Sequence, residues 1–128
     1  MTGKQWERHI AQENQRLYVA HRAMVARIPT HYHNGIPSRD PKVDFAGLVM
    51  GGQMVAIEAK AGSGSLKVSQ RAYLQTVSEL GGIAIVYRYI DGERHICRVD
   101  GTGEMQRKSS RTRCEDDTWL DWIERMTQ

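Results

Sequence analysis

The chain contains 128 residues and carries a net charge of +3, with 40% hydrophobic and 26% charged residues. This length suits one domain with its own hydrophobic core, and the composition excludes collagen-like and wholly disordered chains. No apolar run reaches the ~20 residues of a membrane-spanning helix, the first residues lack the apolar stretch of a signal peptide, and the two separated cysteines predict neither a disulfide nor a zinc site. We therefore expect a single soluble, cytoplasmic domain over residues 1–128.

Positive charge is concentrated in two segments of the sequence. Residues 1–42 carry seven lysines and arginines against three acidic residues, and residues 101–113 carry four against one. The last fifteen residues reverse the sign, with five acidic residues and one arginine. Two basic segments around a neutral middle could follow a phosphate backbone, although charged runs are most often solvated surface.

The first half of the sequence predicts one helix and three strands. The helix covers residues 4–22, and the strand over 23–28 is stopped by Pro29. Residues 29–42 are rich in proline, histidine and glycine and predict a loop. The strands over 43–50 and 53–60 are joined at Gly51-Gly52, which suits a tight hairpin turn because both central positions need a positive φ.

The second half predicts two helices around another hairpin. After a flexible loop over 61–65, a helix over 70–80 begins behind Ser69 as its N-cap. Strands over 83–89 and 94–99 are joined at Asp91-Gly92, and Asp116 or Asp117 caps a terminal helix. The order α, β, loop, β-hairpin, α, β-hairpin, α predicts a mixed α/β domain with a central sheet flanked by helices.

Two carboxylates and a lysine fall at one end of the first hairpin. Asp44 opens one strand and Glu58 and Lys60 close its partner, so the three residues are neighbours in space. Glu58 and Lys60 share a face because they lie two positions apart on a strand. Two carboxylates with water suit Mg²⁺, and the lysine can orient a water or offset charge in the transition state. This arrangement is typical of a metal-dependent phosphodiesterase, although a Glu and a Lys at a strand end can also form a simple surface ion pair.

The sequence around these residues resembles a known nuclease superfamily. Asp44…Glu58-Ala59-Lys60 is similar to the core of the PD-(D/E)xK nucleases, and the chain from residue 3 to 89 resembles the RecU-type Holliday-junction resolvases. The resemblance is carried by residues 3–7, 14–18, 27–30, 44–47, 57–60 and 69–84. It implies the restriction-endonuclease-like α/β fold and Mg²⁺-dependent cleavage of four-way DNA junctions, with Mn²⁺ as a possible substitute for Mg²⁺.

The resemblance also implies a role for each matching residue. Asp44 and Glu58 would bind the metal, and Lys60 would stabilise the transition state. Gln70 would join the metal shell. Glu7 would complete the acidic site, although a glutamate in the first turn of a helix is almost as readily expected from the helix dipole.

The chain departs from the family pattern close to the motif. Lys42 and Val43 stand where a threonine and a proline are usual. Only the segment 31–41 could occupy the place of the stalk that enters the junction in RecU proteins. Cleavage of DNA is therefore better supported than selectivity for junctions.

The expected partner is four-way or otherwise branched DNA, bound by a homodimer, because paired symmetric cuts need two active sites related by a two-fold axis. No Walker pattern is present, so no nucleotide cofactor is expected, and no membrane partner is indicated. Basic residues near the motif and in the second basic segment are candidates for contacts with the DNA backbone. They are Arg39, Lys42, Lys67, Arg107, Lys108, Arg111 and Arg113.

Two other functions remain open from the sequence. One is a VRR-NUC-like or other small DNA nuclease without preference for junctions. The other is a DNA-binding module that kept the fold and lost catalysis. Mg²⁺-dependent nicking distinguishes the enzymes from the module, and competition between junction and linear duplex distinguishes the two enzymes.

Overall fold

A computed structural model describes residues 1–28, 43–100 and 117–126, together with the backbone of the strands at 32–33, 36–37 and 105–110. The helices are α1 (Gly3–Val19), α2 (Val68–Glu79) and α3 (Trp119–Met126). The strands are β1 (Ala23–Arg27), β2 (Tyr32–His33), β3 (Ile36–Pro37), β4 (Phe45–Val49), β5 (Met54–Ala61), β6 (Ile83–Ile90), β7 (Glu93–Val99) and β8 (Met105–Ser110).

Six of the strands form one mixed sheet. Its order is β1-β4-β5-β6-β7-β8, while β2 and β3 pair separately. Among the described strands of this sheet, β5 and β6 are the parallel pair, and α2 makes the crossover between them that a parallel pair requires. The other neighbours in this sheet are antiparallel. The predicted class, an α/β domain with a mixed sheet flanked by helices, is confirmed.

The helices cover opposite faces of the sheet. Side chains of α1 and α3, including Trp6 and Trp119, pack with Ile57 on one face. Leu74 of α2 packs with Ala56 on the other face. Successive residues of a strand point to opposite faces, so the side chains that follow Ala56 at intervals of two lie on the α2 face. The α2 face therefore carries Glu58 and Lys60, near the end of β5.

The ends of the helices differ from the prediction. α1 stops at Val19, three residues early, and His21 at φ 57° no longer has helical geometry. α2 begins at Val68, so the predicted N-cap Ser69 is wrong and Lys67 holds that position. The physical reason is the Gln70 side chain, whose Oε1 accepts a hydrogen bond from the Lys67 backbone N–H at 3.0 Å.

The cap of α3 is also different from the prediction. Thr118, rather than the predicted Asp117, directly precedes the helix, and Asp116 lies outside the described residues. Its backbone N–H donates to Asp121 Oδ2 at 2.8 Å, and the Asp121 backbone N–H donates to Thr118 Oγ1 at 3.4 Å. A threonine paired with an acidic residue three positions later satisfies donors at both positions, which an aspartate further upstream does not.

Two regions predicted without regular structure contain strands. The predicted loop over 29–42 contains the β2–β3 pair, and the basic stretch contains β8. β8 pairs with β7 at the edge of the sheet. Polar residues are common on edge strands, where charge also discourages further pairing, so a basic composition alone did not exclude a strand.

A buried polar network joins α1 to β6, β7 and α3. Glu13 is fully buried, and its Oε1 lies 3.1 Å from Arg94 Nη1. The Tyr87 hydroxyl donates to the same oxygen at 2.9 Å, and the Trp119 backbone N–H donates to Oε2 at 3.3 Å. Every oxygen of this carboxylate thus has a partner, as expected of a buried charge that stabilises a fold.

Candidate active site

The β4–β5 hairpin brings the predicted acidic residues together. Gly51 and Gly52 turn the chain at φ 94° and 82°, values that favour glycine, and pair Phe45 with Ile57. Asp44 directly precedes β4, and its Oδ2 accepts a hydrogen bond from the Ala59 backbone N–H at 2.8 Å. The Asp44 carboxylate therefore reaches across to the strand that carries Glu58, as the hairpin pattern predicts.

Glu58 is buried and only partly satisfied. The residue is 3% exposed, and its Oε1 accepts a hydrogen bond from Gln70 Nε2 at 2.9 Å. Lys60 Nζ lies 3.9 Å from the same oxygen. Among the described residues, Oε2 has no hydrogen-bond partner. An ionised carboxylate with a buried, unpartnered oxygen is unfavourable unless a cation binds it, whereas a protonated carboxyl here can donate to Asp44.

Burial also changes the protonation of this carboxyl. Desolvation, followed by the nearby Asp44 carboxylate, raises the pKa of Glu58 to about 8, against the opposing effect of Lys60. At neutral pH the group therefore holds its proton when no metal is bound. Perturbed carboxyl groups of this kind occur often at active sites.

Gln70 reaches the site from the first turn of α2. Its Nε2 donates to Glu58, while its Oε1 accepts from the Lys67 backbone N–H. The amide thus fixes the orientation of the Glu58 carboxyl and the start of α2 together. To bind a metal ion directly, Gln70 would have to use the same Oε1. Its place among the metal ligands therefore stays a prediction.

Glu7 lies near Asp44 on α1, the helix that covers the face of the sheet opposite to α2. Burial and the neighbouring Asp44 carboxylate raise the pKa of Glu7, and Arg27 opposes this shift. The Arg27 guanidinium lies 2.9 Å from Glu7 Oε2 at the end of β1. Asp44 thus has Glu58 and Glu7 as acidic neighbours, one from β5 and one from α1, and Arg27 is a partner of Glu7 that the sequence did not predict.

A second arginine near the site was also missed. Arg88 on β6 is the register partner of Lys60 in the parallel β5–β6 pair. Its Nη1 donates to the carbonyl oxygens of Gly62 and Gly64, at 3.1 and 2.6 Å. The available signal was its position two residues after Val86, which places it on the α2 face, but the register with β5 was not predictable from the sequence.

The candidate DNA contacts are placed unevenly. Lys67 is exposed at the N-cap of α2, one helical turn from Gln70. Arg107 and Lys108 lie on β8, paired in register with Cys97 and Ile96. The remaining candidates lie outside the described residues: Arg39, Lys42, Arg111 and Arg113.

The carboxylates at this end of β4 and β5 suit a hard divalent cation that is bound partly by water. Within residues 1–28, 43–100 and 117–126, no group of three or more His, Cys, Asp and Glu side chains is arranged to hold a metal ion. Mg²⁺ commonly takes one or two carboxylates and keeps several waters, and Asp44 with the unpartnered Oε2 of Glu58 supplies such a pair. Lys60 lies beside that pair on the same strand as Glu58.

Comparison with known proteins does not place the chain in a family. No protein-family model matches it, and no curated protein resembles it significantly. In the described part of the chain, no helix is long and apolar enough to cross a membrane. The assignment of a function therefore depends on the fold and on the geometry of this edge.

Proposed function

We propose that the protein is a Mg²⁺-dependent DNA endonuclease of the PD-(D/E)xK type that resolves four-way junctions, as RecU-type resolvases do. The observation that carries the proposal is the buried Glu58, whose Oε2 has no partner among the described residues while Asp44 and Lys60 lie beside it. Once ionised, this buried carboxylate is unfavourable, and a divalent cation bound by Asp44 and Glu58 would offset that cost.

Each residue of the site has a distinct part in the proposed reaction. Bound Mg²⁺, or Mn²⁺ in its place, supplies a Lewis acid that activates water and stabilises charge on the phosphate. Asp44 and Glu58 bind the ion, and Gln70 holds the Glu58 carboxyl in place. Lys60, 3.9 Å from Glu58 Oε1, orients the attacking water or offsets the negative charge that develops on the phosphate.

Glu7 holds a position next to Asp44 from which it can extend the acidic site. Its Oε2 lies 2.9 Å from the Arg27 guanidinium. Burial next to Asp44 disfavours its charged form, and a cation at this edge would relieve that repulsion.

Junction resolution requires two such sites. Four-way junctions are cut at symmetry-related points, so we propose a homodimer with a two-fold axis. The alternative is a VRR-NUC-like or other small DNA nuclease without preference for junctions, for which the same site would serve. An inactive DNA-binding module is disfavoured because Asp44, Glu58 and Lys60 are present and adjacent.

The central test is cleavage of a labelled four-way junction with and without Mg²⁺. We expect symmetric paired nicks that require the metal, and competition by linear duplex then separates the resolvase from a nuclease without junction preference. Asp44→Asn and Glu58→Gln should abolish cleavage, because each removes a metal ligand. Junction binding should be strengthened in Asp44→Asn, which removes a negative charge near phosphate, and kept in Glu58→Gln, which replaces a carboxyl that holds its proton near neutral pH without metal.

Glu79→Gln is the matched control, since it removes one exposed carboxylate at the end of α2. This variant should cleave like the wild type. Undiminished cleavage by Asp44→Asn or Glu58→Gln would contradict the metal site. Junction binding by the wild type without any cleavage would favour the inactive module.

A further inference from the structure

Arg88 and Lys60 place two positive charges side by side on the α2 face of the sheet. They are register partners on the adjacent parallel strands β5 and β6, so their side chains leave the sheet on the same face. Like charges directly opposite each other on neighbouring strands are destabilising. Lys60 has an ion-pair contact with Glu58, whereas Arg88 lies within 4.0 Å of no carboxylate among the described residues.

The two cations differ in their counter-charges. Lys60 Nζ lies 3.9 Å from Glu58 Oε1, whereas the Arg88 guanidinium contacts only carbonyl oxygens among the described residues. Arg88 therefore adds a positive charge beside the acidic residues that no carboxylate of the described chain neutralises. Such a position favours an anion that binds next to the metal site.

The guanidinium of Arg88 is also fixed in place. Nη1 donates to Gly62 O at 3.1 Å and to Gly64 O at 2.6 Å, in the loop between β5 and α2. Gly62 has a φ of 120°, a conformation that favours glycine and presents its carbonyl to the arginine. Within the described part of the chain, Nη2 and Nε of Arg88 make no hydrogen bond.

We propose that Arg88 binds a phosphate of the nucleic acid strand next to the linkage that is cut. This inference rests on the proposed nuclease function and assigns its substrate a second anchoring point. Nη1 holds the guanidinium to the loop, and Nη2 and Nε donate to two oxygens of one phosphodiester. Arginine suits this task because its planar donors match phosphate oxygens in pairs and its charge is permanent.

The anchored phosphate would align the strand over the metal site. Lys60 faces the reacting phosphate, and its register partner Arg88 holds a neighbouring one, so the strand crosses from β5 toward β6. Arg88 is then a positioning residue for the reaction. Its loss should weaken binding and raise KM more than it lowers kcat.

The test compares two substitutions that separate charge from loop anchoring. Arg88→Gln retains an amide that can donate to the glycine carbonyls but has no charge, whereas Arg88→Ala loses both. Junction binding is measured with Ca²⁺ in place of Mg²⁺ at several salt concentrations, and cleavage with Mg²⁺ gives kcat and KM. Arg98→Gln on β7 is the matched control, because Arg98 borders the groove beside α3, away from the site.

We expect Arg88→Gln to bind the junction about tenfold to a hundredfold more weakly, as for a lost hydrogen-bonded charge pair. Its salt dependence should be shallower by about one unit of log–log slope. Arg98→Gln should bind like the wild type. If Arg88 acts only through the loop, Arg88→Gln will match the wild type and only Arg88→Ala will lose activity, which overturns the inference.

A neutral methylphosphonate at single linkages near the cut locates the contact independently of folding defects. The wild type should lose affinity at one linkage beside the cut, and Arg88→Lys, which retains a charge but lacks the planar pair of donors, should show a smaller loss there. Equal losses in both proteins would contradict the assignment. A wild type that neither binds nor cuts DNA would instead refute the proposed function itself.

Discussion

Replacing Glu58 with glutamine should make the metal-free protein more stable while it destroys the metal site. Glu58 is 3% exposed, and burial beside Asp44 raises its pKa from 4.5 to about 8. In the unfolded chain this carboxyl ionises near pH 4.5, whereas the folded protein keeps the proton until about pH 8. The unfolded state thus binds fewer protons in this window, and stability falls as the pH rises through it.

The size of the effect follows from the pKa shift. At pH 7.5 the interval from the unfolded pKa is three units, which corresponds to at most about 4 kcal/mol at 1.36 kcal/mol per unit. Water that enters the site lowers this value, so we expect about 2–4 kcal/mol. Glutamine has no charge to desolvate, keeps the acceptor for Gln70, and can donate to Asp44 through its amide.

The measurement is thermal unfolding in EDTA between pH 4.5 and 9. For a domain of this size, the difference at pH 7.5 corresponds to a melting temperature about 8–15 °C higher for Glu58→Gln than for the wild type. The two proteins should converge near pH 4.5, where both side chains are neutral. Glu79→Gln, which changes an exposed carboxylate, should follow the wild-type curve at every pH.

Mg²⁺ should reverse the order. It binds only the folded wild type, so the melting temperature of the wild type should rise with metal concentration while that of Glu58→Gln stays constant. A difference between the two proteins in EDTA that does not change with pH would refute the buried, protonated Glu58. Equal stabilisation by Mg²⁺ would refute its role as a ligand.

Three further outcomes test the fold, the assembly and the DNA contacts. Glu13→Ala should destabilise the protein by about 3–5 kcal/mol in chemical denaturation, because Arg94 loses its buried counter-charge, and an unchanged midpoint would contradict the network. Light scattering should show a dimer at micromolar concentration, and a chain that is monomeric even on a junction would favour the simpler nuclease. Replacing Arg111 and Arg113 with alanine should make the salt dependence of junction binding shallower by about one or two log–log units, whereas an unchanged slope would exclude that segment from the contact surface.

The sequence predicted the part of the site that the β4–β5 hairpin forms, namely the two carboxylates. The Gly51-Gly52 turn and the apolar runs beside it define an antiparallel hairpin, and the hairpin brings Asp44 next to Glu58. Turn geometry sets the register of such a pair, so the sequence contains what is needed to place both carboxylates. The same reasoning put Glu58 and Lys60 on one face.

Contacts between distant segments were beyond that reasoning. Arg88 lies beside Lys60 because β5 and β6 pair in parallel. No tight turn joins these two strands, so their register depends on how the connecting helix α2 packs. The Glu7–Arg27 pair likewise needs the angle between α1 and the sheet. β8 was missed because an edge strand can be formed by polar residues with no apolar alternation.

The two buried glutamates differ in how their carboxyl oxygens are satisfied. Glu13 has a partner at each oxygen, with Arg94 and Tyr87 on Oε1 and the Trp119 backbone N–H on Oε2. Glu58 is almost as buried, yet among the described residues its Oε2 has no hydrogen-bond partner. A lysine nearby and a glutamine at one oxygen hold that carboxylate without satisfying it. Without a cation the Glu58 carboxyl keeps its proton beside Asp44, and on our proposal a divalent ion bound by both residues would replace that proton.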